Sequence, residues 1–124
     1  MFSKKNKSSD LNKSTKQIKI AIPSMGETID SLVSDSLGRS PFIIIYDEEN
    51  KKYDCFENIG FKIQDGSGLK VTERIIEKKT DVLLTSEIGR KAYSVLMKEH
   101  IDIQLLSSGG TVKTVISRFL KKQL

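Results

Sequence analysis

Between Ser34 and Phe42 the chain gathers Ser34, Ser36, Gly38, Arg39, Ser40 and Pro41. Gly38 can take a positive φ at little cost, while Pro41 fixes its own φ and holds Ser40 extended, so the turn has a largely preset shape. Arg39 places a rigid fork of N–H donors on that turn, the chemistry of anion recognition. Taken alone, the stretch reads equally as a polar surface loop with a solvated arginine. Three further turns carry the same residue types: Gly60, Gly66 and Gly68; Ser86 to Gly89 and Arg90; and Ser107, Ser108, Gly109, Gly110 and Thr111. Glycine and hydroxyl residues at the start of a helix expose backbone N–H groups and the positive end of the helix dipole, which favour anions.

Bond-making chemistry has little to draw on. His100 is the one imidazole and Cys55 the one thiol, so neither a Ser-His-Asp nor a Cys-His arrangement can be assembled at the glycine turns, and no disulfide or cysteine-rich metal site can form within the chain. Two-metal nucleases need several carboxylates, one of them on the first strand, and Ile18 to Ile22 has none. The Gly109-Gly110-Thr111 turn lacks the lysine of a phosphate-binding P-loop. His100 follows a helical stretch and reads as a cap, since histidine is enriched at positive φ. Cys55 reads as a structural strand residue. Met25 is either a thioether near the glycine turns or an apolar filler. Arg39 serves either an anionic ligand or a pairing with Asp35 or Asp65. Glu87 suits a helix start, whereas the cation Arg90 does not and is a candidate for anion contact.

The chain has 124 residues, enough for one domain, with 37% hydrophobic residues and a net charge of +5. Lys4, Lys5, Lys7, Lys13 and Lys16 face Asp10 alone, so most of that charge sits in Met1–Lys16. This tail is too polar to offset its ordering entropy and is expected to be a disordered basic arm, with the domain spanning residues 17–124. The near-neutral body argues against a specific nucleic-acid partner, and no stretch has the length or hydropathy of a signal sequence or a membrane span. The expected location is the cytoplasm.

Alternation places strands at Gln17–Ile22, ended by Pro23, and at Phe42–Asp47, Lys52–Glu57, Asp81–Thr85 and Ile101–Leu106. Helical spacing appears over Leu69–Lys79 through Leu69, Thr72, Ile75 and Ile76, and over Gly89–Glu99 through Ala92, Val95 and Leu96. A last helix carries Val112, Val115, Ile116, Phe119 and Leu120 after an expected cap at Thr111. The order β-β-β-α-β-α-β-α gives an α/β fold with a mixed sheet in which the second strand alone is antiparallel. The loops after strands one, three, four and five (Ser24–Ser40, Asn58–Gly68, Ser86–Gly89 and Ser107–Gly110) then leave from one edge, where open α/β sheets bind ligands. The expected site is Ser34, Ser36, Gly38, Arg39, Gly66, Gly68, Ser86, Gly89, Arg90, Ser108, Gly109, Gly110 and Thr111.

Ser34, Gly38-Arg39-Ser40-Pro41-Phe42, Gly68-Leu69, Ser86 to Ala92 and Gly109-Gly110-Thr111-Val112, in this order and spacing, resemble the dinitrogenase iron–molybdenum cofactor biosynthesis domain over Ile18–Leu124. The resemblance implies a ribonuclease-H-like, three-layer α/β fold with a five-stranded mixed sheet. It also implies a non-catalytic nitrogenase accessory role: binding an iron–sulfur or iron–molybdenum cluster, or a precursor, with a donor or acceptor protein as partner. Relatives carry His-Phe where this chain has Ser36-Leu37, and a hydroxyl is a poor ligand for soft iron–sulfur clusters. The metal ligand is therefore unknown. A small-anion or phosphate sensor, or an interaction module without metal, is the alternative.

Overall fold

The computed structural model describes residues 18–58, 67–107 and 109–122. The basic tail expected over residues 1–16, and the site candidates Gly66 and Ser108, lie outside them. The elements are β1 (Lys19–Ser24), β2 (Phe42–Asp47), β3 (Lys52–Glu57), α1 (Ser67–Glu77), β4 (Val82–Thr85), α2 (Arg90–Lys98), β5 (Asp102–Leu105) and α3 (Val112–Lys122). They form one five-stranded sheet in the order β3-β2-β1-β4-β5. β2 runs antiparallel to β1 and β3, whereas β1, β4 and β5 are parallel, so the other four strands share one direction as the alternation predicts.

Both faces of the sheet are covered, which explains the continuous apolar runs of its central strands. Ala21, Ile43, Ile45 and Leu83 pack against Val71 and Ile75 of α1 and Ala92 and Leu96 of α2. On the other face Ile20, Ile22, Ile44 and Leu84 pack against Val112, Val115, Ile116 and Phe119 of α3. The α3 stripe is the one read from its spacing. The α1 stripe is rotated: Leu69 is exposed and Val71 fills the core instead. Each of Thr72, Ile75 and Ile76 lies within reach of either choice at helical spacing, so periodicity alone does not decide between Leu69 and Val71.

β1 does not stop before Pro23. It continues to Ser24, with Pro23 opposite Ile43. An extended residue directs its N–H and C=O to the same side, and the Pro23 carbonyl accepts the Ser34 N–H at 2.9 Å. The missing N–H of Pro23 therefore faces away from β2 and costs that ladder nothing. The parallel pairing with β4 covers Ile20 and Ala21, and the returning segment around Val33 takes over beside Ser24.

Two helices end in the same way. Lys79 (φ 59°) and His100 (φ 62°) take the left-handed conformation just beyond α1 and α2. The N–H groups of Lys79 and Thr80 donate to the Ile76 and Ile75 carbonyls, and those of His100 and Ile101 to Met97 and Leu96, the paired bonds of a Schellman motif. His100 is thus a helix stop, at the edge of the sheet opposite the glycine turns. Because glycine takes this conformation without strain, Lys79→Gly and His100→Gly are each expected to stabilise the fold by about 0.5–1 kcal/mol. A urea midpoint that falls in either variant would contradict this.

Candidate functional site

The long connection after β1 is a built structure rather than an open loop. The Met25 N–H donates to Leu32, Ser24 bridges Val33, and the Ser24 hydroxyl donates to the Gly26 carbonyl at 2.7 Å. A Cβ on Gly26 would collide with the Ser31 hydroxyl, which would have to move and give up the bond it accepts from the Thr28 N–H. From there the segment reaches the other loops of the same edge. Val33 N–H donates to Gly110 at 2.9 Å and Leu37 N–H to Glu87 at 3.2 Å, with bridges Leu32–Thr111 and Ser36–Glu87. Asn58, directly after β3, donates its backbone N–H to Pro41 and its side-chain amide to the Leu37, Gly38 and Ser40 carbonyls at 3.3, 3.5 and 2.9 Å. The ends of four parallel-running strands therefore meet on one rim.

Within that rim the expected residues fall into two groups. Ser36, Gly38 and Arg39 adjoin the β4 loop with Ser86, Gly89 and Arg90, through the Leu37–Glu87 bond. Gly109, Gly110 and Thr111 adjoin Ile29 to Val33. Ser34 stands between them, buried, its hydroxyl donating to the Ser36 carbonyl at 3.4 Å. Gly68 lies in the first turn of α1 rather than in a loop. Leu37 is buried among core residues and pins the Arg39 turn from beneath, while Arg39 itself is exposed. Among the described residues Arg39 makes no hydrogen bond or ion pair. Gly38 does not use the left-handed freedom open to it; in the rim that region belongs to Gly110, at φ 127°.

The α2 and α3 starts at the rim differ in a way that spacing does not reveal. At α3 the Val112 and Lys113 N–H groups donate to the Ser31 and Ile29 carbonyls, and Thr114 N–H donates to the Thr111 hydroxyl at 3.2 Å. Thr111 is the cap predicted from sequence, and these donors are already satisfied by protein. At α2 the cap is Gly89, which offers no side-chain bond, and the first turn holds Arg90 and Lys91 with no acid. A Cβ at Gly89 would meet open space. Donors without a partner among the described residues, a dipole end and two cations coincide there.

The remaining candidates do not add ligands. Cys55 is half-buried on β3, and burial, with the charge of Glu27, pushes its thiol up. Alkylation at neutral pH is therefore expected to be slower than for a free thiol and to accelerate only above the ordinary thiol range; thiolate-like reactivity at pH 7 would contradict this. Met25 is exposed on the rim. Among the described residues no three His, Cys, Asp or Glu side chains are placed to hold a metal ion. A depression of about 220 Å³ lined by Lys19, Asp47, Asn50, Lys52 and Lys78 lies at the opposite edge. Within it the Lys19 ammonium donates to the Lys78 carbonyl, and Asn50 hydrogen bonds hold the Asp47 carboxyl below its usual range.

The dinitrogenase iron–molybdenum cofactor family model matches residues 16–122, which include every described element. The chain belongs to this family. Among solved structures, a putative NifB protein from Thermotoga is 33% identical with a TM-score of 0.75, covering 84% of this chain and 88% of its own. The apo form of the orange protein from Desulfovibrio gigas is 26% identical with a TM-score of 0.80, covering 86% of this chain and 90% of its own. No curated protein sequence matches significantly. Membership of the dinitrogenase iron–molybdenum cofactor family places the chain with cofactor-related carriers and accessory proteins. No described helix is long and apolar enough to cross a membrane.

Sequence reasoning missed Asn58, which does most to hold the rim together. A single asparagine after a strand carries no signal of its own. Its role depends on three carbonyls some twenty positions earlier turning towards it.

Proposed function

We propose that the domain is a non-catalytic, cytoplasmic carrier that holds an anionic metal cluster of the iron–sulfur or iron–molybdenum type, or its precursor, between a donor and an acceptor protein. The observation that carries this reading is the open α2 start, whose amides have no partner among the described residues and whose Arg90 and Lys91 stand beside the turn bearing Arg39. We place the cargo at Ser36, Gly38, Arg39, Ser86, Gly89 and Arg90. In this reading Ser34, Gly109, Gly110 and Thr111 shape the rim, and Gly68, at the start of α1, flanks it. The donors are hard hydroxyls, amides and guanidinium, which suit the charge of a cluster rather than its iron atoms. Iron–ligand bonds therefore come from the Met25 thioether, from a partner or from ligands the cargo brings, while the rest of the rim supplies N–H donors and charge. We also read the strand order, with β2 alone antiparallel, as the ribonuclease-H-like arrangement.

The same hard donor set supports a second reading, a sensor of phosphate-type anions. Anaerobic incubation of the full chain with iron and sulfide, followed by gel filtration, separates the two. Co-eluting visible absorbance is the expected result. A colourless protein whose Arg39 and Gly89 amides shift with inorganic phosphate supports the sensor, and a protein that responds to neither contradicts both.

A further inference from the structure

The outer strands of the sheet are built differently. β3 carries Lys52, Asp54 and Glu57, exposed charges that discourage further pairing. β5 carries one charge, Asp102, and its Leu105 is 68% exposed. The Asp102 and Leu106 N–H groups donate to Asp81 and Thr85 on the β4 side at 3.0 and 2.9 Å. Alternation therefore turns the N–H and C=O groups of Ile103 and Leu105 outward, where no strand stands beside them among the described residues. Ile103 packs against the core cluster that includes α2, so Leu105, two positions on, lies on the α2 face as well.

The helix above adds to the same edge. Ala92 and Leu96 are buried against the sheet, while Tyr93 and Met97, one position on from each, are 45% and 49% exposed. In a right-handed crossover from β4 to β5, the flank of α2 that carries Tyr93 and Met97 is the one over β5. Lys91 and Lys98 fall on the other flank, towards α1. Tyr93, Met97 and Leu105 thus lie along one edge, an apolar strip beside unpaired backbone.

The two parts of this edge decide what fits it. A lone added strand would pair with β5 and leave Tyr93 and Met97 in water, whereas a second copy covers both. With a two-fold axis through Gln104, antiparallel pairing sets Ile103 of each copy opposite Leu105 of the other. Every outward N–H and C=O of the two strands is then bonded, and the aliphatic side chains meet on the α2 face. Asp102 comes opposite Leu106, so no like charges face each other across the pair. Each α2 sits over β4 and β5, so strands about 4.8 Å apart bring the two helices to about 10 Å, a packing distance, with Tyr93 and Met97 between them.

We propose that β5 and the adjoining flank of α2 form a two-fold interface between copies of this chain. The paired strands run in opposite directions, so the two rims point to opposite ends of the dimer. The interface does not depend on what the rim holds.

Sedimentation of the full chain across a dilution series from about 500 to 5 µM is expected to show a monomer–dimer equilibrium with a Kd on the order of 10–100 µM, because a four-residue strand pair and one helix flank make a small interface. At the top of that range the Ile103 and Leu105 amides should exchange with solvent about tenfold more slowly than at the bottom, while Gln104, turned towards β4, changes little. Leu105→Pro removes an outward donor without removing a bond to β4, and Met97→Lys sets a cation on each of the facing flanks. Each variant should raise the Kd at least tenfold and leave the remaining amide spectrum folded. A chain that stays monomeric at the highest concentration would overturn the proposal. So would a dimer that either variant leaves intact, or one in which Ile103 and Leu105 exchange as fast as in the monomer.

Discussion

Asn58→Ala is expected to destabilise the domain by about 3 kcal/mol, because buried acceptors that lose their donor bear the desolvation penalty of polar groups without the bond. Asn58 is 3% exposed, and its amide serves carbonyls of Leu37, Gly38 and Ser40 at once. The Ser40 hydroxyl also donates to Leu37 at 3.0 Å, so part of the turn keeps a donor in the variant. The loss should therefore be local as well as global: the Gly38–Ser40 backbone should exchange with solvent far faster than the sheet does. Urea unfolding gives the first quantity and amide exchange the second. A change below about 1 kcal/mol, within the range of an ordinary exposed hydrogen bond, would mean that the turn is held by Leu37 packing alone.

Arg39→Ala should reduce affinity for a bound anion by about tenfold to a hundredfold, the range of one or two charge-assisted hydrogen bonds. Stability should change little, since the side chain is exposed and makes no described bond whose loss would be felt. The pair of results is what separates a ligand contact from a structural arginine. Arg39→Lys should recover only part of the affinity, because an ammonium keeps the charge but not the planar fork. Affinity unchanged in Arg39→Ala would place the cargo elsewhere on the molecule.

Much of this architecture is legible in the sequence because it rests on periodicity. The β2–β3 hairpin and the α3 stripe follow from local patterns, and once β2 is antiparallel, the convergence of four strand ends on one edge follows from direction alone. Three features were not legible, each for a physical reason. Pro23 sits inside β1 because its missing donor faces the side where Ser34, not β4, is the neighbour. Val71 replaces Leu69 in the core because α1 is rotated by its contacts with the sheet. The helix starts differ because α3 receives carbonyls from Ile29 and Ser31, residues eighty positions away in the chain, whereas nothing described comes to α2. Glycine and hydroxyl spacing marks both starts equally; tertiary contact decides which one remains open. The Ser36-Leu37 pair shows the same division: Leu37 keeps its place in the core, and Ser36 brings a hard hydroxyl to the rim.

The placement of the cargo is tested most directly by paramagnetic broadening of backbone amides in the full chain, loaded anaerobically with iron and sulfide. Signals of Ser36 to Arg39 and of Gly89 to Ala92 should vanish first, while Lys113 and Thr114 at the closed α3 start broaden less and Asp47 to Lys52 at the far edge stay sharp. Broadening centred on Cys55 or on the β2–β3 turn, with Arg39 and Gly89 still sharp, would contradict the assignment of this rim.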